Sequence, residues 1–445
     1  MKTKNWNIAF EISPILAASG SYGDKSGVYR INFNLIKYLS LYLKKHHPKK
    51  KIYLYSLAPH LAYNKNMDLI ELLKENNVEF LVLDYYIVPS LKDYPIFNLP
   101  FIRYFTKIVD IFYVKLLQNI MYSRYVNELN ILLQRKNVLI THHSESGFVG
   151  LKNCLNVIHI NDLCPIFFPF WTTSETISIH KRKLQFAGQH CDGVICISNS
   201  TKKDLNSYLN KLRFNVTNKS KVIYLGAFNQ VSKIKTSLVK INEILQQDHA
   251  ARITKKKYLL YFGTIEPRKN LVNLTTTFTR LEKEGILKGY KLVLVGGKGW
   301  GKTYKQITEY IQEQYPIKSQ SSIIMMDFIK DEYLISLIKN SFAVVYTPFY
   351  EGFGLPVLEA MQIGVPVITS NTSSLPEVGG DAVLYVEPTN PESLSNIIKK
   401  LVKNMNLYNN LVKLGKVQAK KFSWEKNAKE TFAFYNSLVK SHYSK

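Results

Sequence analysis

Short apolar runs alternate with longer segments of helical periodicity along most of the chain. Several short runs are continuously apolar, such as 52–55 and 193–197. Runs of this kind are typical of parallel strands that are covered on both faces. The strands predicted in the first half are 7–13, 51–57, 78–84, 137–143, 156–162, 193–198 and 221–226. The helices predicted between them are 28–46, 66–76, 100–135, 175–189 and 200–212.

The alternation stops in a polar, lysine-rich stretch at 228–256 and then restarts. The second half predicts strands at 258–265, 291–297, 322–328, 342–348, 365–370 and 381–386. Its predicted helices are 270–285, 303–315, 331–339, 356–363 and 392–413. Regular strand–helix alternation predicts an α/β fold of two doubly wound, parallel-sheet domains. Ligands bind beyond the carboxyl ends of such strands, so we expect the two domains to face a cleft.

The pattern sets the predicted boundaries. We expect a first Rossmann-like domain over 1–227 and a partly helical connection over 228–256. A second Rossmann-like domain over 257–420 and a C-terminal segment over 421–445 follow.

The composition narrows the possible partners. The chain has 445 residues, of which 46% are hydrophobic and 21% charged, as in globular proteins. Its net charge of +26 favours an anionic partner. Residues 1–230 carry 29 basic and 15 acidic side chains, and the remainder carries 30 and 18. Because a nucleic-acid arm would concentrate this excess, we expect a lysine-rich solvated surface and no nucleic-acid partner.

The cysteines and the N-terminus indicate a compartment. The four cysteines include no C-x-x-C pair, which argues against a zinc ribbon or thioredoxin-like site and suits a reducing environment. No stretch reaches the roughly 18 apolar residues that span a bilayer. Glu11 interrupts the first apolar run, so we expect no signal peptide and a cytoplasmic protein.

The most informative stretch is 349–360, which follows a predicted buried strand. Gly352 and Gly354 allow the backbone to approach a ligand, and their amides in front of a helix form an anion site. Glu351 on the loop and Glu359, expected in the first helical turn, suit hydroxyl recognition because carboxylates accept hydrogen bonds. Alternatively, Glu359 only complements the helix dipole.

A pair of cations follows the first predicted strand of the second domain. Arg268 and Lys269 stand directly before helix 270–285. Two cations at the carboxyl end of a strand can hold a diphosphate and stabilise it as a leaving group. The alternative is a solvated pair on a loop. A glycine-rich turn at 20–27 occupies the phosphate position of the first domain but lacks G-x-G-x-x-G, so a nicotinamide cofactor is not expected.

These motifs carry a family resemblance. Residues 258–388 resemble the nucleotide-sugar-binding domain of family-4 glycosyltransferases, which have the GT-B fold. The matching segments are 263–270, the glycine turn ending in Trp300, 350–361, 364–371 and 374–381. The first domain resembles the family more loosely, through 26–30, 162–165 and 198–205. Residues 422–427 resemble the family's last helix, which crosses back to the first domain.

The resemblance implies a retaining enzyme of surface polysaccharide synthesis. It would move a hexose from a nucleotide diphosphate sugar to a glycan or lipid-linked acceptor, with no bound metal or cofactor. Arg268 and Lys269 would hold the diphosphate, Glu359 the ribose and Glu351 the donor sugar. The first domain would face the acceptor. Backbone contacts to the donor would come from Gly27, Gly263, Gly296, Gly352, Phe353, Gly354 and Leu355. The Glu-Pro-Arg-Lys-Asn string resembles bacterial mannosyltransferase-like members, which favours GDP-mannose.

The chain departs from the family pattern in the first domain. Many members carry His-Asp-Leu after a strand, with the histidine near the reacting sugar. Here Asn161 stands before Asp162, and His159 lies two residues earlier on the same strand face. His159 either takes over the role or is a structural histidine. Thr264 replaces an arginine, which leaves more phosphate contact to the two cations. Arg30 is a further candidate on the acceptor side.

Two other functions stay open at this point. One is a GT-B-fold nucleotide-sugar epimerase, which would lack a separate acceptor surface. The other is a non-catalytic glycan-binding subunit on the same fold. The presence of Glu351, Glu359 and Lys269 argues against the second.

Segment 100–126 could contact a membrane. Apolar residues at 101, 105, 108, 112 and 116 recur at helical spacing, among aromatic and basic residues. An interfacial helix has this composition, but so does a helix packed on the first sheet. The sequence therefore leaves open whether this helix belongs to the core or holds the enzyme at the inner face of an anionic membrane.

Overall fold

The protein forms two parallel β-sheets. The computed structural model describes residues 6–17, 27–57, 67–81, 122–144, 147–228, 237–249, 252–317 and 321–444. The strands of the first sheet are β1 Asn7–Glu11, β2 Ile52–Tyr55, β3 Val78–Phe80, β4 Val138–His143, β5 Leu155–Ile160, β6 Gly193–Cys196 and β7 Ser220–Val222. Those of the second are β8 Tyr258–Phe262, β9 Lys291–Val295, β10 Ile323–Met326, β11 Ala343–Tyr346, β12 Val367–Ser370 and β13 Leu384–Val386.

Helices connect these strands. In the first part of the chain they are α1 Ser13–Ala17, α2 Gly27–His46, α3 Met67–Leu73, α4 from 122 to 135, α5 Cys164–Phe167, α6 Ser174–Gln189 and α7 Asn199–Lys211. The later helices are α8 Val239–His249, α9 Leu271–Lys283, α10 Thr303–Gln314, α11 Asp331–Asn340, α12 Leu355–Ile363, α13 Leu375–Gly379, α14 Pro391–Lys403, α15 Met405–Ala419 and α16 Trp424–Tyr443.

The strand order creates the same crevice in both domains. The sheets run β3-β2-β1-β4-β5-β6-β7 and β10-β9-β8-β11-β12-β13. The order reverses between β1 and β4, and again between β8 and β11, and both pairs are parallel. Because ligands bind at such reversal points, the carboxyl ends of these four strands mark the expected site. Two doubly wound α/β domains are therefore confirmed.

The sequence pattern explains the strands. All five residues of β8 and all four of β11 are buried, as expected for strands covered on both faces. The predicted connection contains α8, whose Ile241 and Leu245 pack with Ile253 in the core of the second domain. An amphipathic helix gains most of its stability from such packing.

One helix prediction is wrong, and another falls mostly outside the residues that the structure describes. The predicted helix 392–413 is two helices, because Asn404 adopts an extended backbone conformation and its side chain caps α15 by accepting from the Leu407 amide. Most of segment 100–126 lies outside the described residues. The described helix α4 buries Tyr125, Leu129 and Leu133 in the first domain.

The last helix joins the two domains. The indole Nε1 of Trp424 donates to the Ala227 carbonyl at 3.0 Å. Further along α16, Phe432 stacks on Trp6 with ring centroids 5.8 Å apart, and Tyr435 is buried with it in the first core. The C-terminal helix therefore packs on the first domain. Among the described helices, none is long and apolar enough to cross a membrane.

Candidate functional site

Two glycine turns shape the carboxyl edge of the second sheet. Gly263 after β8 has φ 134° and Gly296 after β9 has φ 151°, values that favour glycine. A Cβ at Gly296 would collide with the Gly263 carbonyl, so both turns need the missing side chain. The chain then forms the short 3₁₀ turn Pro267–Lys269, and Asn270 at φ 59° starts α9. This turn holds Arg268 and Lys269 at the expected ligand crevice.

The two cations meet a carboxylate from the neighbouring loop. Lys269 Nζ lies 2.6 Å from Glu351 Oε2 and 2.5 Å from the Tyr346 hydroxyl. Tyr346 donates to the same Glu351 oxygen at 2.7 Å. Arg268 reaches Glu351 through Nη1 at 3.3 Å and Glu266 through Nε at 2.6 Å. We call these five residues the cation network.

Electrostatics in the cation network keep Glu351 and Arg268 charged. Burial opposes ionisation of Glu351, but the charges of Arg268 and Lys269, with hydrogen bonds from Lys269 and Tyr346, lower its pKa to about 2. Burial likewise disfavours the Arg268 cation, yet Glu351 and Glu266 raise its pKa well above the ordinary value. Glu351 and Arg268 therefore form a preorganised pair of opposite charges at neutral pH.

The cation network leaves donors for a ligand. Within the described part of the chain, Arg268 uses Nε and Nη1 for its hydrogen bonds, and an arginine has two further N–H groups on Nη2. Lys269 uses two of its three N–H groups, toward Tyr346 and Glu351. Planar guanidinium and ammonium donors side by side suit an oxyanion such as a diphosphate.

Two serine side chains hold the glutamate loop. The Glu351 amide donates to Ser373 Oγ at 2.9 Å, and Ser374 Oγ donates to the Glu351 carbonyl at 2.9 Å. Gly354 caps α12 with φ 100°. The Phe353 side chain is buried near Tyr224 and Phe422, so only its backbone can face a ligand.

Glu359 needs a correction. It is the fifth residue of α12, so it lies in the second turn and not in the first as predicted. Its buried carboxylate forms an ion pair with Arg30 of α2 at 2.9 Å. Burial raises the pKa of Glu359 to about 7, although the Arg30 charge acts to lower it. The pair joins a candidate donor residue of one domain to a candidate acceptor-side residue of the other.

The two domains also touch beside the glutamate loop. Thr201 Oγ1 of α7 contacts both the Asn161 carbonyl at 3.2 Å and the Gly352 carbonyl at 3.3 Å. A Cβ at Gly352 would collide with the Asn161 carbonyl oxygen. The Tyr350 hydroxyl donates to Asp204, also on α7, at 2.7 Å. The glycine in this loop is therefore required by close approach of the first domain.

A carboxylate of the second domain caps the same helix. Glu377 accepts from the backbone amides of Asn199 at 2.8 Å and Ser200 at 2.7 Å, which are the first residues of α7. It also accepts from the Tyr224 hydroxyl at 3.1 Å. A negative charge at a helix N-terminus is favourable. This contact joins α13 of the second domain to the N-terminus of α7 in the first.

The structure places His159 in a buried chain of hydrogen bonds. His159 Nδ1 lies 2.7 Å from His142 Nε2, and His142 Nδ1 lies 2.5 Å from the Tyr435 hydroxyl on α16. Burial, with the neighbouring His159 and His143, keeps the pKa of His142 well below its usual range. Asp162 accepts from the Cys164 amide at 2.9 Å. Buried hydrogen bonds thus hold the His159 ring in place.

The remaining predicted residues lie at the edges of the site. Gly27 is the exposed first residue of α2, where a Cβ would meet open space, and the preceding 18–26 fall outside the described residues. Leu355 begins α12. Sequence reasoning missed Tyr346, Glu266 and Glu377. Tyr346 had a signal, since it is the hydroxyl-bearing last residue of a buried strand. In the described ranges, no group of three or more His, Cys, Asp or Glu side chains is arranged to hold a metal ion.

Comparisons with known proteins show which sequences resemble this chain. Residues 242–418 match the family model described as Glycosyl transferases group 1. The O-antigen chain mannosyltransferase B of Escherichia coli is 38% identical over 182 residues, 41% of this chain and 46% of that protein. The serotype-specific mannosyltransferase WbdA of Escherichia coli is 27% identical over 59% of this chain and 31% of its own length. The chain thus spans less than half the length of these relatives.

Solved structures resemble the whole chain. Anabaena Alr3699/HepE in complex with UDP and glucose has a TM-score of 0.61 at 15% identity, covering 97% of this chain and 99% of that one. WaaG, a glycosyltransferase involved in lipopolysaccharide biosynthesis, has a TM-score of 0.60 at 14% identity and covers 95% and 98%. The chain therefore has the GT-B fold, and its second domain matches the family Glycosyl transferases group 1.

Proposed function

We propose that the protein is a glycosyltransferase that moves a hexose from a nucleotide diphosphate sugar to a glycan or lipid-linked saccharide. The observation that carries the proposal is the cation network at the carboxyl ends of β8 and β11. Arg268 and Lys269 stand there side by side, with donors left for an oxyanion. The family match over 242–418 supports the same activity.

The proposed roles follow from the charges. Arg268 and Lys269 bind the diphosphate and stabilise the negative charge that grows on it as the sugar leaves. Glu351, held ionised, orients both cations and accepts from the sugar hydroxyls. Glu359 accepts from the ribose hydroxyls, for which a carboxylate is suited. We propose that the anomeric configuration of the donor is retained.

Mannose from GDP-mannose is the donor we favour. Support comes from the names of relatives, two of which are O-antigen or serotype-specific mannosyltransferases. We also propose surface polysaccharide synthesis as the process and the cytoplasm, at the inner face of the membrane, as the location. All four cysteines are free, which suits a reducing compartment. The net charge of +26 suits an anionic lipid surface.

Calorimetric titration with GDP-mannose, UDP-glucose, ADP-glucose and dTDP-glucose tests the proposal. We expect saturable binding of one nucleotide sugar, with GDP-mannose the tightest. Binding of none of the four would contradict the proposal. Product analysis with the donor alone separates an epimerase from a transferase, because only an epimerase forms a new nucleotide sugar without an acceptor.

The affinity for GDP-mannose should rise with pH. Glu359 has a pKa near 7, so it is mostly protonated at pH 6 and mostly ionised at pH 8. Ribose hydroxyls donate hydrogen bonds to the ionised form. Binding should therefore strengthen about tenfold between pH 6 and pH 8, which lie one unit either side of the pKa. Both phosphates of GDP-mannose are esterified and do not titrate here. Glu359→Gln should flatten the profile, and an equally steep profile in that variant would remove Glu359 from the ribose site.

A further inference from the structure

A groove lies beside the cation network without including it. It has a volume of about 570 Å³, within the roughly 300–1,000 Å³ usual for ligand sites. Neither Arg268 nor Lys269 nor either candidate glutamate lines it. We call it the side groove, and its walls include Trp171, Asn273, Thr276, Gln306, Phe349 and Thr389.

Aromatic rings from both domains form one wall of the side groove. Trp171, which follows α5 in the first domain, stacks on Phe349 of the second with ring centroids 5.8 Å apart at 20°. Phe168 stacks on Trp171 at 4.5 Å. Beside them Phe170 is 75% exposed. Trp171 and Phe349 are the members of this cluster that line the groove, and they give it an apolar aromatic surface that suits the CH groups of a sugar.

The other walls are uncharged and combine apolar residues, among them Leu271, Val272 and Pro388, with polar ones. They carry the amides of Asn273 and Gln306 and the hydroxyls of Thr276 and Thr389. Amides and hydroxyls both donate and accept, which matches sugar hydroxyls. No charged side chain is among the described lining residues, although the chain carries 59 basic ones. The lining therefore disfavours an anionic ligand.

The side groove is tied to the proposed donor site. The Phe349 amide donates to the Arg268 carbonyl at 2.8 Å, and Asn270 Nδ2 donates to the Pro388 carbonyl at 2.7 Å. The loops 267–270 and 349–351 thus contribute residues to both the side groove and the cation network.

We propose that the side groove binds a neutral oligosaccharide, as a second site for the glycan chain outside the reaction centre. The proposal rests on the proposed glycosyl transfer for the identity of that chain. The binding itself follows from the aromatic wall and from the amides and hydroxyls of an uncharged lining. Residues of both domains take part, so the bound glycan would bridge them.

Filling the side groove with a bulky side chain tests whether it binds an oligosaccharide. Gln306 is an exposed residue of α10, so Gln306→Trp fills the groove without disturbing the core. Lys305→Trp is the matched control, since Lys305 is on the same helix, 76% exposed at its side chain and outside the groove. The probes are mannotriose and maltotriose as neutral sugars and trigalacturonate as a charged one. Calorimetry measures their dissociation constants, and that of GDP-mannose, for each protein.

We expect Gln306→Trp to weaken binding of a neutral trisaccharide at least tenfold and Lys305→Trp to leave that binding unchanged. The affinity for GDP-mannose should stay the same in both variants. Equal trisaccharide affinity in the two variants would overturn the proposal, as would trigalacturonate binding that is lost with Gln306→Trp. If the unaltered protein binds the trisaccharide but no nucleotide sugar, the proposed donor site fails and the groove stands.

Discussion

Lys269→Met should lower kcat/KM for glycosyl transfer about 100- to 1,000-fold, the range seen when one preorganised donor is removed from a developing charge. The lysine contacts Glu351 and Tyr346 and has one N–H group left for the diphosphate. Methionine keeps most of the volume but removes the charge and the N–H donors. Steady-state kinetics and the dissociation constant of the nucleotide sugar measure the effect.

Stability and activity must be separated in this experiment. Removing Lys269 leaves the buried Glu351 with Arg268 and Tyr346 as partners, so its pKa should rise and the melting temperature should fall. Lys269→Arg restores the charge and should recover part of both. Lys305→Ala, which removes an exposed lysine of α10, is the control and should change neither. An unchanged rate in a folded Lys269→Met protein would mean that this cation is only structural.

Gly352→Ala should lower kcat/KM about 100-fold, the cost of misplacing reacting groups by about 1 Å. Gly352 does not have a positive φ, so alanine brings no backbone strain. Its Cβ would instead meet the Asn161 carbonyl of the first domain, and a backbone atom cannot move aside as a side chain can. The substitution should therefore prevent the two domains from meeting as closely as they do in this structure.

Small-angle scattering should show this directly as a larger radius of gyration for Gly352→Ala. Gly150→Ala is the matched control, because its Cβ meets nothing nearer than 3.8 Å. It should leave the radius and the rate unchanged. Full activity in Gly352→Ala would show that contact between Gly352 and the first domain is not needed for transfer.

The strands could be predicted because their information is local. Continuous apolar runs such as β8 and β11 are buried on both faces wherever the sheet places them. Arg268, Lys269 and Glu351 could be found because they follow those strands, and the carboxyl edge of a sheet is the expected ligand crevice. The fold and the positions of these residues therefore followed from spacing along the chain.

The contacts across the domains could not be predicted in this way. Arg30 and Glu359 are 329 positions apart, and nothing in either segment indicates the ion pair that the structure shows. The cap that Glu377 places on α7 depends on the angle between the domains. The raised pKa of Glu359 depends on burial of its carboxylate in the folded protein. Such features belong to the tertiary arrangement alone.

Analysis of the reaction product tests the central claim most directly. The protein is incubated with GDP-mannose and an α-mannoside acceptor, and the earliest product is examined by mass spectrometry and proton NMR. The account predicts an acceptor longer by one hexose, with the anomeric configuration of the donor retained, and no such product with Lys269→Met in the same time. No transfer from any nucleotide sugar that binds, or an inverted product, would contradict it.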